Sequence, residues 1–476
     1  MKRVMLALTL LVASIAFAQV ETTPPPPAAP HAMHIPQPAE KTLANGLRVI
    51  VVPKHGVPLV AARLLIASGA ESDPEERAGL AEMTGSLLTK GTKTKTAEQI
   101  AREVEALGAS LDSGAGWDSS YVAISVMSSK LPKAMTYMSD VVRHPAFSKE
   151  ELERLRAQNL DELQVAMGRP SSLASMVVAH VIFGTTPYGH SVGGTLESLK
   201  RITRDDVVAF HRAHYGPRNA ILVLTGDITT ARAFELAQTN FGSWTSSAAP
   251  SQPVSVATSA LPQPRVVVID MPQAGQAAVV VARAGLRRAD PEYYRALVTN
   301  SVLGGGYSSR LNEEIRIKRG LSYGAGSSFD LRRGTGPFVA RVQTKNESAA
   351  EVAKLVLAEL GKLRADAVPQ DELEPRKATL MGDFSRSLET NAGLASAVAG
   401  LALNGLPLDD INRYIASVEK IGAADVRQFS TEHLGTDASV VIVGDASKFL
   451  DALKKEFSSV EVIPIAKLNL NSATLQ

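Results

Sequence analysis

The sequence contains no cysteine. That excludes a disulfide framework and a lipid-modified N-terminal cysteine, and it leaves thiols silent about the redox compartment. An excess of one charge is also missing. Against 50 Lys and Arg stand 48 Asp and Glu, for a net charge of +2, which gives no reason to expect nucleic acid or an acidic membrane surface as partner. Aromatic residues make up 5% of the chain, and the two tryptophans, Trp117 and Trp244, are too isolated to form a stacking surface. Neither Gly193-Gly194 nor Gly304 to Gly306 continues into the G-K-[ST] pattern of a phosphate loop.

Long apolar runs are nearly absent. The exception, Val4 to Phe17, follows Lys2 and Arg3 and ends in Ala16-Phe17-Ala18. It is shorter than the roughly 20 residues that span a bilayer, and the small-x-small ending fits a cleaved signal peptide over residues 1–18. Residues 19–40, rich in Pro, Ala and Thr from Glu21 to Pro38, are expected to form a flexible linker. A second Pro, Ser and Ala-rich stretch covers 245–264. These boundaries leave two arms of domain size, 41–244 and 265–462, and a tail over 463–476. With 476 residues and 45% hydrophobic content the chain can fill more than one core. A periplasmic or secreted location follows from the leader.

The two arms read as repeats of one design. The first opens with strand-like LRVIVVPK and LVAARLLIAS and a helix from about Ala78 to Lys90, and closes with NAILVLTGDI and a helix around Ala231 to Asn240. The second opens with RVVVIDMP and QAAVVVARAG and a helix from Glu292 to Leu303, and closes with ASVVIVGDA and a helix from Ser447 to Phe457. Shared order and two strand endings in Gly-Asp suggest duplication. Leu80, Met83, Thr84, Leu87 and Leu88 form a helical stripe, whereas YVAISVMS and GPFVARVQT alternate as half-buried strands. The expected fold is α+β: two tandem domains, each a mainly antiparallel sheet with helices on one face.

Candidate chemistry begins at GLAEMTGSLLTKGT, Gly79 to Thr92. Together with TLANGLRVIVVP, SGAESDPEERAGLAE, YGHSVGGTLESLKRIT and FHRAHYGPRNAILVLTGDI, it resembles the pitrilysin or insulinase-like (M16) peptidase family across nearly the whole mature chain. The resemblance implies a clam-like peptidase half that encloses unfolded peptides. In active members the stretch between GLA and KGT carries H-x-x-E-H, two zinc-binding histidines and a glutamate that activates water. Here those positions are Glu82, Gly85 and Ser86, and the family's third ligand falls on Glu162, beside Asp161. One carboxylate, a bare backbone and a hydroxyl make a poor tetrahedral zinc site. No metal is expected in this chain, nor peptide hydrolysis by it alone, and Glu162 reads as an ordinary helix carboxylate.

The second signal is LGGGYSSRLNEEIRIKRGLSYGAGSSF in the other arm. Gly304 to Gly306 break a helix and allow close backbone approach. A helix from about Ser309 to Lys318 turns Leu311 and Ile315 inward and stops before Gly320; Arg316 lies near its C-terminal end and Tyr323 follows the turn. By themselves these residues fit a capping arginine and a core tyrosine with a satisfied hydroxyl. The resemblance implies instead the arginine and tyrosine pair that reaches across the chamber to the substrate. A guanidinium and a phenol donate hydrogen bonds to a peptide carbonyl or its developing oxyanion.

Paired M16 subunits exist in which one chain carries zinc and the other, lacking the metal motif, contributes Arg and Tyr. The resemblance therefore implies a non-catalytic, substrate-binding subunit of a secreted heteromeric zinc endopeptidase. Its partner would be a zinc-bearing M16 subunit and its substrate an unfolded peptide. The alternative is a non-enzymatic scaffold or peptide-binding homologue. His211 and His214 lie in a structural segment with no acidic base at helical offset, and His180 and His190 read as packed or surface residues. His31 and His34 are isolated in the linker, Glu150 to Arg156 is a solvated helix face, and Ser86 and Ser322 have no nucleophile motif. Sequencing the N-terminus of the exported protein should find Gln19 first; an intact Met1 would refute signal cleavage.

Overall fold

The computed structural model describes residues 34–254 and 261–476. The expected signal peptide, His31, most of the first linker and part of the second fall outside the described residues. The remainder holds two six-stranded sheets built to one plan. The first comprises β1 (Ala39–Thr42), β2 (Arg48–Pro53), β3 (Leu59–Ile66), β4 (Ser110–Ala115), β5 (Ser120–Met127) and β6 (Ala220–Gly226), in the order β1-β2-β6-β3-β5-β4. The second comprises β7 (Val266–Asp270), β8 (Ala277–Ala284), β9 (Ser322–Phe329), β10 (Pro337–Thr344), β11 (Ser439–Gly444) and β12 (Glu461–Pro464), in the order β12-β7-β11-β8-β10-β9.

Both sheets are mainly antiparallel, with a parallel pair at corresponding places, β2 with β6 and β7 with β11; they differ at one edge, where β1 is antiparallel to β2 but β12 is parallel to β7. β6 and β11 are buried along their whole length, as continuous apolar runs in a sheet covered on both faces should be. β5 alternates, because only one row of its side chains enters the core. At the end of β6, Gly226 has φ +121°, and a Cβ there would lie 2.2 Å from the Leu59 carbonyl oxygen. Only glycine fits, which explains the first of the two Gly-Asp endings.

Helices of each repeat cover one face of its own sheet, as expected. The other face is covered by a helix from the other repeat. Helix Pro170–Phe183 packs on β8 and β11, and helix Asn391–Leu403 packs on β3 and β6. The first reaches its site because helix Lys149–Met167 stops at Gly168 and restarts at Pro170 with a 100° bend. Proline suits the first turn of a helix and disfavours continuation of the preceding one. Leu173, Val177 and Val181 then join Val280, Val339 and Val441 in one buried cluster. Among the described residues no single helix is long and apolar enough to cross a membrane.

Three expected segments behave differently from free chain. Residues 463–476 are not a loose tail: Ile463 belongs to β12, and Leu470 and Leu475 are buried in the cluster around Pro170–Phe183. Their apolar side chains have a place to go, and burial outweighs the entropy of a loose end. In the first linker, Ile35 is held by Asn412, which accepts from its N–H at 2.9 Å and donates to its carbonyl at 3.0 Å. In the second, the buried Asn219 amide donates to Ala249 and accepts from Ser251, both at 2.7 Å.

Leu173 is fully buried between the repeats. Leu173→Ala should lower stability by about 2–5 kcal/mol and shift one cooperative transition of the whole chain. Two separable transitions by calorimetry would show that the repeats unfold independently.

Candidate functional site

The helix that carries the degenerate motif, Leu80–Leu87, is started by Asp73. Its carboxylate accepts from the N–H groups of Gly79 at 2.7 Å and Ala81 at 2.8 Å, so it satisfies orphan donors of the first turn. The inward stripe of Leu80, Met83, Thr84 and Leu87 is buried as its spacing requires. This places Glu82, Gly85 and Ser86 toward β4, the edge strand of the first sheet.

Each of the three is committed to structure. Glu82 accepts from the Ser86 hydroxyl at 2.8 Å and, through its other oxygen, from the Ala115 N–H at 2.9 Å. Burial raises its pKa, against the opposing effect of these two hydrogen bonds. Gly85 is the point of closest approach: a Cβ there would lie 2.6 Å from the Gly114 carbonyl carbon and 2.7 Å from its oxygen. Glu162 is exposed and accepts from Gln158 one turn earlier, at 2.9 Å. Among the described residues, Glu82 and Glu162 share no hydrogen-bond partner. These residues do not fit a zinc ion, because the middle position has no room for the glutamate that metal chemistry requires.

Among the described residues the group of metal-capable side chains that comes closest together is Glu292, Glu432 and His433. It lies away from the motif, and both oxygens of Glu292 already accept from Arg295, at 3.1 and 3.2 Å. His211 and His180 are packing residues. His211 meets the Val142 carbonyl at 2.8 Å and stacks on Tyr215, and burial lowers its pKa to about 4. His180 is likewise pushed down to about 4 by burial.

In the second repeat, only Arg310–Asn312 of the expected helix is α-helical, and Glu313–Lys318 forms a π-helical turn. The wider turn keeps Leu311 and Ile315 buried, while Gly320 at φ +64° reverses the chain into β9. Leu321 N–H donates to the Ile315 carbonyl at 2.9 Å and Ala325 N–H to Asn312 at 3.2 Å, stitching the turn to β9. The close approach expected of the glycines also occurs here: a Cβ at Gly304 would lie 2.3 Å from the Ser327 nitrogen in β9.

Arg316 and Tyr323 sit on these two joined elements, but among the described residues no hydrogen bond links their side chains. The Arg316 guanidinium lies 4.6 Å from the centre of the Tyr307 ring and has no carboxylate partner among the described residues. Tyr323 is 90% exposed on β9, the open edge of the second sheet. A core tyrosine with a satisfied hydroxyl is thereby excluded.

Residues 48–196 match the family described as Insulinase (Peptidase family M16), and residues 201–380 match the Peptidase M16 inactive domain. The chain belongs to peptidase family M16. An uncharacterized zinc protease of Mycobacterium leprae is 24% identical over 85% of this chain and 91% of its own length. A protein of Helicobacter pylori named Non-peptidase homolog YmxG is 24% identical over 84% of this chain and 92% of its own. The crystal structure of a peptidase M16 inactive domain from Pseudomonas fluorescens superposes with a TM-score of 0.81, at 28% identity, over 86% of this chain and 98% of that one.

The M16 fold also contains acids that sequence motifs did not single out. Glu71, nearly buried, has its pKa raised to about 7 by burial and by the charge of Asp118, and Asp73 is raised by burial. The run Glu71 to Glu76 just ahead of a helix start was the available signal. Replacing Glu82, Gly85 and Ser86 together by His, Glu and His restores the motif's letters but places a side chain against Gly114. The variant should bind no stoichiometric zinc by metal analysis and should lose about 1–3 kcal/mol through overpacking. A folded, zinc-loaded triple variant would show that the Gly85 contact is not what closes the site.

Proposed function

We propose that this M16 chain is a non-catalytic, substrate-binding subunit of a secreted or periplasmic heteromeric zinc endopeptidase. The observation that carries the reading is Tyr323, 90% exposed on the open edge of its sheet, with Arg316, which has no carboxylate partner among the described residues, on the adjoining π-helical turn. An edge strand has unpaired backbone groups with which an extended peptide can pair. Arg316 and Tyr323 supply donors to a peptide carbonyl and to charge that develops on it. The metal chemistry belongs to a zinc-bearing M16 partner, since Glu82, Gly85 and Ser86 are tied to β4 and cannot hold the ion.

A second reading is a non-enzymatic scaffold or peptide-binding homologue. The relative named a non-peptidase homologue supports it, as does the poor fit of Glu82, Gly85 and Ser86 to a zinc ion.

Bound zinc and peptide cleavage measured for the chain alone, and then mixed with a zinc-bearing M16 subunit from the same organism, separate the two. The endopeptidase reading expects inactivity alone and activity on mixing; no activity in either case favours the scaffold. In the active complex, Arg316→Ala should lower turnover by about 100-fold or more and leave assembly by size-exclusion chromatography unchanged. Unaltered cleavage by that complex would refute the role of Arg316.

A further inference from the structure

In the first repeat, helices Leu131–Arg143 and Arg204–His214 and the turns beside them border a hollow of about 510 Å³. Its volume falls in the range of small-ligand sites. Four permanent cations line it, Lys93, Arg143, Arg204 and Arg212, and no Asp or Glu does. Among the described residues none of the four makes an ion pair. The chain as a whole balances 50 Lys and Arg against 48 Asp and Glu, so this one-sided group is a local segregation of charge. Asp140, one turn before His144, is taken up by that imidazole at 3.3 Å. A hollow lined by charge of one sign concentrates ions of the other.

Two of the cations are fixed in place. Arg143 donates to the Asn240 carbonyl at 2.8 Å and to the Ser243 hydroxyl at 3.0 Å. Arg204 donates to the carbonyls of Phe147 at 2.7 Å and Ala146 at 3.3 Å. Neutral acceptors orient a guanidinium and leave its charge uncancelled. Lys93 and Arg212 are exposed and, among the described residues, their side chains make no hydrogen bond, so they are free to close on a ligand. Arg143 and Arg212 also border a second hollow of about 370 Å³, where Thr245, Ser246 and Ser247 supply hydroxyls and again no acid lines the wall.

We infer that the paired hollows bind a phosphorylated small molecule, its phosphoryl group among the four cations and its polar remainder against the hydroxyls. A carboxylate brings one charge in one plane, which a single guanidinium satisfies. A phosphoryl group at neutral pH brings about −1.5 to −2 of charge and three acceptor oxygens, so cations on several walls meet it at once. Arginine supplies the fixed forks and lysine a mobile point charge. The site needs neither Arg316 and Tyr323 nor a partner subunit.

The test is calorimetric titration of the isolated full chain with glucose 6-phosphate, with orthophosphate, and with succinate, which carries comparable charge on two carboxylates. Glucose 6-phosphate should bind about tenfold tighter than succinate or more, tighter than orthophosphate, and less well as salt is raised. Lys93→Gln with Arg212→Gln, checked for native circular dichroism, should lower its affinity about tenfold. Lys454→Gln with Lys455→Gln removes the same charge elsewhere and should leave affinity unchanged. No binding of either phosphate at millimolar concentration would overturn the site. Succinate binding as tightly as glucose 6-phosphate would overturn the phosphoryl group as the feature recognised, and orthophosphate binding as tightly would overturn the part of the second hollow. Equal losses in the two double variants would overturn the location. Co-sedimentation with phosphatidic acid vesicles, without binding of the soluble phosphates, would overturn the small molecule in favour of a lipid headgroup. None of these outcomes depends on activity of a mixed complex, so failure here leaves the role of Arg316 and Tyr323 standing.

Discussion

The structure depends on a trade of helices between its two repeats. A six-stranded sheet with helices on one face leaves the other face apolar, and that face must be covered. In this chain helix Pro170–Phe183 of the first repeat covers β8 and β11, and helix Asn391–Leu403 of the second covers β3 and β6. Neither sheet is complete without the other repeat. The small residues of NAGLASAVAGLAL let backbone approach backbone, and Asn391 adds a hydrogen bond to the Leu59 carbonyl at 2.8 Å. Polar contacts lock the same junction. Asp118 accepts from the Tyr188 hydroxyl and, at 2.8 Å, from the Arg333 N–H, and Arg332 lies 4.0 Å from the centre of the Trp117 ring.

Within that frame both repeats solve a second problem in the same way. The first long helix of each must lie close to the edge strand of its sheet, and each does so through a glycine, Gly85 against Gly114 and Gly304 against Ser327. In the first repeat the contact falls on a position where an active M16 chain carries the glutamate of its zinc motif. The departure from the zinc motif is therefore more than a change of side-chain chemistry. Gly85 packs against the Gly114 backbone, and Glu82 accepts from the N–H of Ala115 at the end of the edge strand. In the second repeat the same edge strand carries Tyr323 exposed to solvent, while the Arg316 guanidinium lies over the Tyr307 ring.

Much of this was legible in the sequence because it rests on local pattern. Continuous apolar runs marked β2, β6 and β11; alternation marked β5; the paired Gly-Asp endings and repeated element order marked the duplication. The π-helical turn at Glu313–Lys318 was not legible, since its residues have ordinary helical spacing and the turn's contacts with the chain entering β9 are tertiary. Nor was the burial of Leu470 and Leu475, whose partners lie about 200 to 300 residues away in the chain. Arg316 and Tyr323 could be named from the motif, but the same letters fitted a capping arginine and a core tyrosine. Exposure distinguished them.

By itself the sequence determined the repeat, the strand and helix types, family membership and the absence of zinc ligands, because each is written in the identity and spacing of neighbouring residues. Only the tertiary structure decided that each sheet is finished by the other repeat's helix, that Gly85 is pressed against Gly114, and that Tyr323 stands exposed on an edge strand. Those are contacts between segments far apart in the chain, and their geometry is set by packing and solvent exclusion, which no local pattern encodes.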